Sequence, residues 1–162
     1  MKVEFVDDNI IVFLNKYITK NLDYKDKIVL EKELKNIFDK LNNFYNVKIK
    51  GYYDIHIYID DNYGAILELI ENEMDFLEYD DNLIDMRIIV TNVEFLYRIE
   101  DVITLDKEYN IYLYKDNMYL EILDEVDDIE EGYILENSEV VYKNIDEIKK
   151  YGKILKKIDF ML

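Results

Sequence analysis

The sequence predicts an α+β protein of mostly antiparallel strands, with one long helix in its N-terminal half and one C-terminal helix. Several short stretches alternate apolar and polar residues and are separated by turn residues, which is typical of strands. One longer stretch has the helical period. Half of the 162 residues are hydrophobic, so the chain folds although 35% of it is charged. A chain of this length buries roughly 70% of its unfolded surface.

The first unit is predicted at residues 1–75, in the order β-β-α-β-β. Apolar stretches at 3–5 and 10–14 flank Asp7-Asp8-Asn9, which predicts a hairpin. Alternation then predicts strands at 47–59, interrupted near Gly51, and from Ala65 to Leu69, with a turn between them.

The long helix is predicted over residues 26–44. Asp23 or Asp26 serves as its N-cap. Its apolar residues recur with the helical period and form one face, made by Leu30, Leu34, Ile37, Phe38, Leu41 and Phe44.

The second unit is predicted at residues 83–162 and is rich in strands. The two units either fold separately or pack as one compact domain. Its strands are predicted at 83–90, 93–99, 109–114, 118–123, 133–135 and 139–142. The third and fourth of them flank Lys115-Asp116-Asn117, which predicts a second hairpin.

The connections of this half are predicted from their composition. Residues 71–81 are acidic and form a linker or a short helix, 100–105 form one helical turn, and 124–132 form an acidic loop. Asn144 and Glu147 have the spacing of a capping box and begin the C-terminal helix. The face of that helix is predicted at Ile145, Ile148, Tyr151, Leu155 and Ile158.

Positive charge is missing from two long stretches. The chain has 37 Asp and Glu against 20 Lys and Arg, a net charge of −17. No Lys or Arg occurs between Lys50 and Arg87 or between Lys115 and Lys143, and the second gap holds ten carboxylates. Segregated charge of this kind favours an interaction surface over an ordinary solvated one.

Several function classes are disfavoured by composition. The chain has no Cys, which excludes disulfide and thiolate chemistry and favours the cytoplasm. The N-terminus lacks the apolar region of a signal peptide, and the apolar run at 10–14 is too short to span a membrane. Anionic lipid and nucleic-acid phosphate repel an acidic protein, so we expect no membrane association and no direct nucleic-acid binding.

No residue set identifies a reaction. His56 and Ser138 are the single His and Ser, and no sequence motif brings them together. Asp60, Asn62 and Gly64 partly match a calcium loop, but strands flank them and a plain turn is predicted. A hydrolase using paired carboxylates stays an alternative. We assign no catalytic, cofactor-binding or metal-binding residue and expect a non-enzymatic protein without a cofactor.

The predicted partner surface combines the second acidic gap with the tyrosines of the second hairpin, since Tyr is enriched at interfaces. The alternative is that Tyr simply suits strands. The surface consists of Asp124, Glu125, Asp127, Asp128, Glu130, Glu131, Tyr112, Tyr114 and Tyr119. Its expected partner is a protein with a basic surface, and the expected function is that of an adaptor or regulator. The alternative function is a nucleic-acid mimic that inhibits a DNA- or RNA-binding protein, as phage anti-defence proteins do.

Short motifs in order along the chain resemble the MecA-type adaptors, which bring substrates to a Clp-family unfoldase. In the first half they are Met1-Lys2-Val3-Glu4, Asp8 to Leu14, and Ile49-Lys50-Gly51. In the second half they are Ile99 to Ile103, Tyr112 to Lys115, Met118-Tyr119-Leu120, and Lys150 to Ile154. The resemblance implies an adaptor whose second half contacts an unfoldase. The chain departs from the family in its shorter length and in lacking a long linker.

Overall fold

A computed structural model describes residues 1–72, 84–101 and 103–155. The chain divides into two compact units, Met1–Asn92 and Val93–Leu162. Each contains a five-stranded sheet in which strands are mostly antiparallel, and helices accompany both sheets. The α+β class is therefore confirmed. The predicted linker or helix at 71–81 lies, beyond residue 72, outside the described residues.

The described residues of the first unit form five strands and two helices. They are β1 Lys2–Val6, β2 Asn9–Asn15, α1 Lys16–Thr19, α2 Lys27–Tyr45, β3 Gly51–Asp60, β4 Gly64–Glu71 and β5 Ile84–Asn92. The sheet order is β1-β2-β4-β3-β5. All neighbours are antiparallel except β3 and β5, which are parallel. The predicted hairpin at the N-terminus is confirmed.

The long helix α2 begins where a carboxylate caps it. The Asp26 side chain accepts hydrogen bonds from the amides of Ile28 (3.1 Å) and Val29 (3.3 Å), so Asp26 is the N-cap. The helix ends at Asn46, which has a left-handed backbone (φ 54°). Its buried residues are Leu30, Leu34, Ile37, Phe38 and Leu41. The prediction of a helix at 26–44 is confirmed, but Phe44, which was predicted on its apolar face, is 79% exposed.

The core of this unit lies between α2 and one face of the sheet. Alternate residues of β3 and β4, such as Ile55, Ile57 and Leu67, join the buried α2 residues in one cluster. Val47 and Ile49 belong to the same cluster but are not in a strand, so the strand predicted at 47–59 begins only at Gly51.

Strand β5 belongs to the first unit because it pairs with β3 over nine residues, from Gly51↔Ile84 to Ile59↔Asn92. The sequence pattern predicted that the second unit begins at residue 83. Alternation shows that a segment is extended but does not show which strand it pairs with.

In the second unit, the part of the chain that the structure describes forms five strands and two helices. They are β6 Leu96–Ile99, β7 Tyr109–Tyr114, β8 Asn117–Ile122, α3 Asp128–Glu136, β9 Ser138–Val141, α4 Ile145–Tyr151 and β10 Lys153–Leu155. The sheet order is β10-β7-β8-β6-β9, and all neighbours are antiparallel. The predicted β7–β8 hairpin is confirmed, and positive φ at Lys115 and Asp116 (47° and 65°) fits its tight turn.

Three predictions for the connections of this unit are wrong. Helix α3, which Asp127 caps, replaces residues 128–132 of the predicted acidic loop and the strand predicted at 133–135, while residues 124–127 lie outside helices and strands. Residues 100, 101 and 103–105 contain no helix. The acidic composition of this stretch predicted a loop. Carboxylates in the first turn of a helix stabilise it, however, because they face the positive end of the helix dipole.

The C-terminal helix is shorter than predicted. It ends at Tyr151, and the chain turns at Gly152 into β10, which carries Leu155. A Cβ on Gly152 would lie 2.4 Å from the Ile148 carbonyl oxygen, so the turn requires glycine. Asn144 has φ 61° and makes no side-chain cap, so the predicted capping box is wrong. Ile158 is outside the described residues.

Within the described ranges, no helix has both the length and the apolar character needed to cross a bilayer.

Candidate functional site

The predicted acidic surface folds into the N-terminus of α3. The Asp127 carboxylate accepts a hydrogen bond from the Glu130 amide at 2.8 Å, and Asp128, Glu130 and Glu131 occupy the first turn. Negative charge is favourable there because it faces the positive end of the helix dipole. Part of this acidity therefore stabilises the helix itself.

The two acids that precede α3 differ in their surroundings. The Asp124 carboxylate accepts a hydrogen bond from the Glu108 amide at 3.2 Å and ties this segment to the residue before β7. Glu125 is exposed, whereas the neighbouring Val126 is buried. The segment is thus anchored by Val126 and presents Glu125 to solvent.

One face of α3 is open and partly apolar. Ile129 is 84% exposed, and Tyr133, one turn later, is 43% exposed. Gly132 lies between them, and a Cβ built on it would meet no atom within 4 Å. Glu136, seven residues after Ile129, completes the same face. We call Ile129, Gly132, Tyr133 and Glu136 the α3 face. Only Ile134 of this helix is buried.

The α3 face leads into a groove of about 380 Å³. Tyr133 and Glu136 belong to both, and the opposite side is made by the end of β6 and the residues that follow it. The buried Ile103 contributes an apolar part of the lining. The other lining residues are Arg98, Glu100, Asp101, Asn137, Ser138 and Glu139.

The groove is negatively charged. Its single cation, Arg98, is paired with Glu139 across the β6–β9 ladder. Glu100, Asp101 and Glu136 then remain without a counter-charge among the lining residues. A ligand that brings a cation and an apolar stem suits this combination of carboxylates with Tyr133 and Ile103.

The predicted tyrosines lie together, but under α4. Tyr112 is buried, and Tyr114 and Tyr119 pack partly buried against the cluster that contains Ile145 and Ile148. Each therefore buries much of its apolar surface inside the unit. The structure brings these tyrosines to one sheet face, while the acids 124–131 lie at the start of α3.

A charged network that no sequence pattern predicted holds α4 to this sheet face. Glu121 is only 7% exposed, and its carboxylate pairs with the Lys149 ammonium. It also accepts hydrogen bonds from the Asn110 amide (3.0 Å) and the Tyr112 hydroxyl (3.1 Å). Lys149 reaches Glu94 as well, at 3.1 Å. The sequence carries no signal for the burial of Glu121, because a polar residue between the apolar Leu120 and Ile122 of a strand is expected to face solvent.

The pKa values of this network follow from its contacts. Burial on its own raises the pKa of Glu121, but the hydrogen bonds from Lys149, Asn110 and Tyr112 outweigh it, and the pKa is lowered. Burial lowers the pKa of Lys149, and the two carboxylates outweigh it, so that pKa is raised. Burial and the nearby Glu121 raise the pKa of Tyr112. The carboxylate and the ammonium are thus both held charged.

His56 and Ser138, the residues considered for catalysis, each contact neighbouring parts of the fold. His56 faces Glu68 across the β3–β4 ladder, and its ring centroid is 5.3 Å from that of Tyr58. The Ser138 hydroxyl donates to the Ile134 carbonyl and closes the step from α3 to β9.

The partial calcium motif is a turn. The Asp60 carboxylate accepts from the Asn62 amide at 2.9 Å, between two paired strands. In the described part of the chain no three His, Asp or Glu side chains are grouped so that they could hold a metal ion.

Comparison of the chain with protein-family models, with curated proteins and with solved structures finds no match. The α3 face and its groove are therefore interpreted from their own geometry.

Proposed function

We propose that this protein is a non-enzymatic interaction module, an adaptor or regulator, that binds a basic protein segment through the α3 face and the adjoining groove. The observation that carries this proposal is the exposure of Ile129, 84%, on a helix inside a stretch without Lys or Arg.

Apolar contact supplies the first part of the proposed affinity. Ile129 and Tyr133 are one turn apart and lie on one helix face, which is the arrangement of anchor residues in helix-in-groove recognition. Covering a fully exposed Ile side chain contributes roughly 1.5–3 kcal/mol. Gly132 between them leaves room for the partner's backbone to approach the helix closely.

Charge supplies the second part and sets the kind of partner. Glu100, Asp101 and Glu136 in the groove, with Glu125 before α3, present carboxylates around the apolar residues. A partner segment with one apolar anchor and flanking Lys or Arg complements this surface. Charge of this kind mainly raises the association rate and selects against acidic partners.

Two forms of this function are distinguished by the partner's identity. The resemblance to MecA-type adaptors implies a Clp-family unfoldase or its client as partner. A nucleic-acid mimic would instead occupy the nucleic-acid groove of a basic protein, and added DNA or RNA would displace it.

The test uses two matched baits that differ in one position. Ile129 and Ile28 both occupy the second position of a helix that begins after an Asp N-cap, and they are 84% and 81% exposed. Wild type, Ile129→Ala and Ile28→Ala are immobilised, and the source lysate is passed over each. Bound proteins are eluted with a salt gradient and identified by mass spectrometry.

We expect proteins that bind wild type and Ile28→Ala but are lost from Ile129→Ala. A second pair, Glu136→Lys and the exposed helical control Asp39→Lys, separates charge from apolar contact. Glu136→Lys should release the same proteins at lower salt. Equal capture by Ile129→Ala and wild type would refute the α3 face as the binding surface. Displacement of the captured protein by DNA would identify the mimic form.

A further inference from the structure

We propose that two copies of this chain associate through the outer edge of β5, so that their five-stranded sheets join into one continuous sheet. The partner is thus a second copy, and the contact is independent of the α3 face.

The edge of β5 is long and regular. Among the described strands β5 ends the sheet order and pairs with β3 alone. It has nine residues, whereas the other strands at sheet edges, β1, β9 and β10, have five, four and three. Its register with β3 is unbroken from Gly51↔Ile84 to Ile59↔Asn92, so no bulge twists the edge away. Such an edge is a template for another strand.

The charged residues of β5, Asp85 and Arg87, lie in the first half of the strand, and the residues that follow are uncharged. Exposed charged side chains, Lys above all, usually block strand addition. The one cation, Arg87, has its Nε 3.9 Å from the Asp54 carboxylate on β3, and its side chain is 65% exposed. By contrast β1, at the other edge, carries both Lys2 and Glu4, joined at 2.9 Å.

Self-association of a chain with net charge −17 requires a surface poor in carboxylates. From Met86 to Asn92 the strand has none, and Ile88, Ile89 and Val90 are adjacent. Ile88 and Ile89 are half-buried, and Val90 is 36% exposed. This edge is therefore apolar enough to pair and is not repelled by its own copy.

An antiparallel register centred on Ile88 uses the whole strand. It places Ile88 opposite its own copy, Met86 opposite Val90, and Arg87 opposite Ile89. Residues of like parity face each other, so the apolar residues that pack toward α2 lie on the same side of the joined sheet in both copies. No two like charges are directly opposite in this register.

The first measurement is sedimentation velocity of the full chain over a range of concentrations. Wild type should form a dimer, with twice the 19.7 kDa chain mass. Val90→Lys should be monomeric because it charges the edge. Val6→Lys, the same change on the opposite edge strand at a residue 51% exposed, should remain dimeric. A wild type that is monomeric at every concentration overturns the proposal, and so does a dimeric Val90→Lys.

A cysteine variant tests the register without relying on Val90→Lys. The chain has no Cys, so one introduced thiol is unambiguous. Ile88→Cys and Val3→Cys alter partly buried residues that pack against the same core from the two edge strands. A short bifunctional thiol reagent should link Ile88→Cys into dimers in high yield and leave Val3→Cys unlinked. Linking of Val3→Cys alone would place the contact at β1 and refute the β5 edge.

Discussion

Gly132 destabilises α3, although neither its backbone conformation nor its surroundings require a glycine. It lies in the middle of α3 with ordinary helical backbone, and open space surrounds the position of a Cβ. Glycine there destabilises the helix by about 0.5–1 kcal/mol relative to Ala. We expect Gly132→Ala to raise the free energy of unfolding of the second unit by about that amount and to weaken partner capture. Urea titration and the capture assay measure the two effects.

Gly51→Ala is the control for the two effects expected of Gly132→Ala, which are higher stability and weaker partner capture. A Cβ on Gly51 also meets nothing within 4 Å, but its φ is 98°. The substitution should therefore destabilise the first unit, because a side chain is strained in that conformation. A Gly132→Ala variant that is more stable and binds as tightly as wild type would show that no partner approaches this glycine.

The Lys149–Glu121 pair stabilises the packing of α4. Removing one partner of a fully buried pair costs about 3–5 kcal/mol. The Lys149 side chain is 26% exposed, so we expect Lys149→Met to cost about 2 kcal/mol by leaving the Glu121 carboxylate unpaired. Hydrogen exchange of the amides in β7 and β8 measures the stability of the second unit separately from that of the first. Adding Glu121→Gln should recover part of the loss, and a lack of recovery would show that Lys149 acts through packing alone.

The lowered pKa of Glu121 gives this pair a defined pH dependence. Because the folded pKa is below the unfolded value of about 4.3, the carboxylate's contribution is complete above that pH. It is lost as the pH falls through the folded pKa. The stability difference between wild type and Glu121→Gln should be constant near neutrality and shrink below about pH 4. Comparing the two proteins cancels the titration of the other carboxylates. A difference that grows at low pH would contradict this assignment.

At the scale of elements, α3 depends on its N-cap. Asp127→Ala removes the hydrogen bond to the Glu130 amide and should cost about 1 kcal/mol. Amide exchange should rise in α3, and partner capture should fall because the α3 face is then less ordered. Asp26→Ala removes the corresponding cap of α2 and should leave capture unchanged. Capture that resists the loss of α3 order would place the partner elsewhere.

The elements that sequence predicted well are those whose pattern is local. The one-sided apolar face of α2 and the two tight hairpins depend on residues near in sequence, and they were predicted within one or two residues. Helix α3 was missed because its apolar residues surround the helix, and only Ile134 is buried. A helix that leaves Ile129 in solvent has no periodic signal, so the property that makes it a candidate site also hid it.

Contacts distant in sequence account for the other differences. The assignment of β5 to the first unit depends on its pairing with β3, some 33 residues earlier, as in Ile55↔Ile88. The charged network joins Glu121 to Lys149, and neither residue alone predicts the other. The acidic stretch between Lys115 and Lys143 was recognised from composition, but the exposed Ile129 at its centre was not.

At the scale of the whole molecule, the net charge affects folding, partner binding and self-association. Added salt should therefore change all three, but not in the same direction. Salt screens the mutual repulsion of the carboxylates, so the free energy of unfolding should rise with ionic strength. The same screening should weaken capture of a basic partner, mainly by slowing association. Pairing through the carboxylate-poor β5 edge should strengthen with salt, because two negative chains repel each other less.

Measuring unfolding, capture and sedimentation across one salt series therefore separates the two proposed surfaces. Parallel weakening of capture and dimerisation would mean that both depend on attraction between opposite charges, which contradicts the apolar pairing proposed for β5. Capture that does not change with salt would remove the charged groove from the proposed interface and leave Ile129 and Tyr133 as its basis.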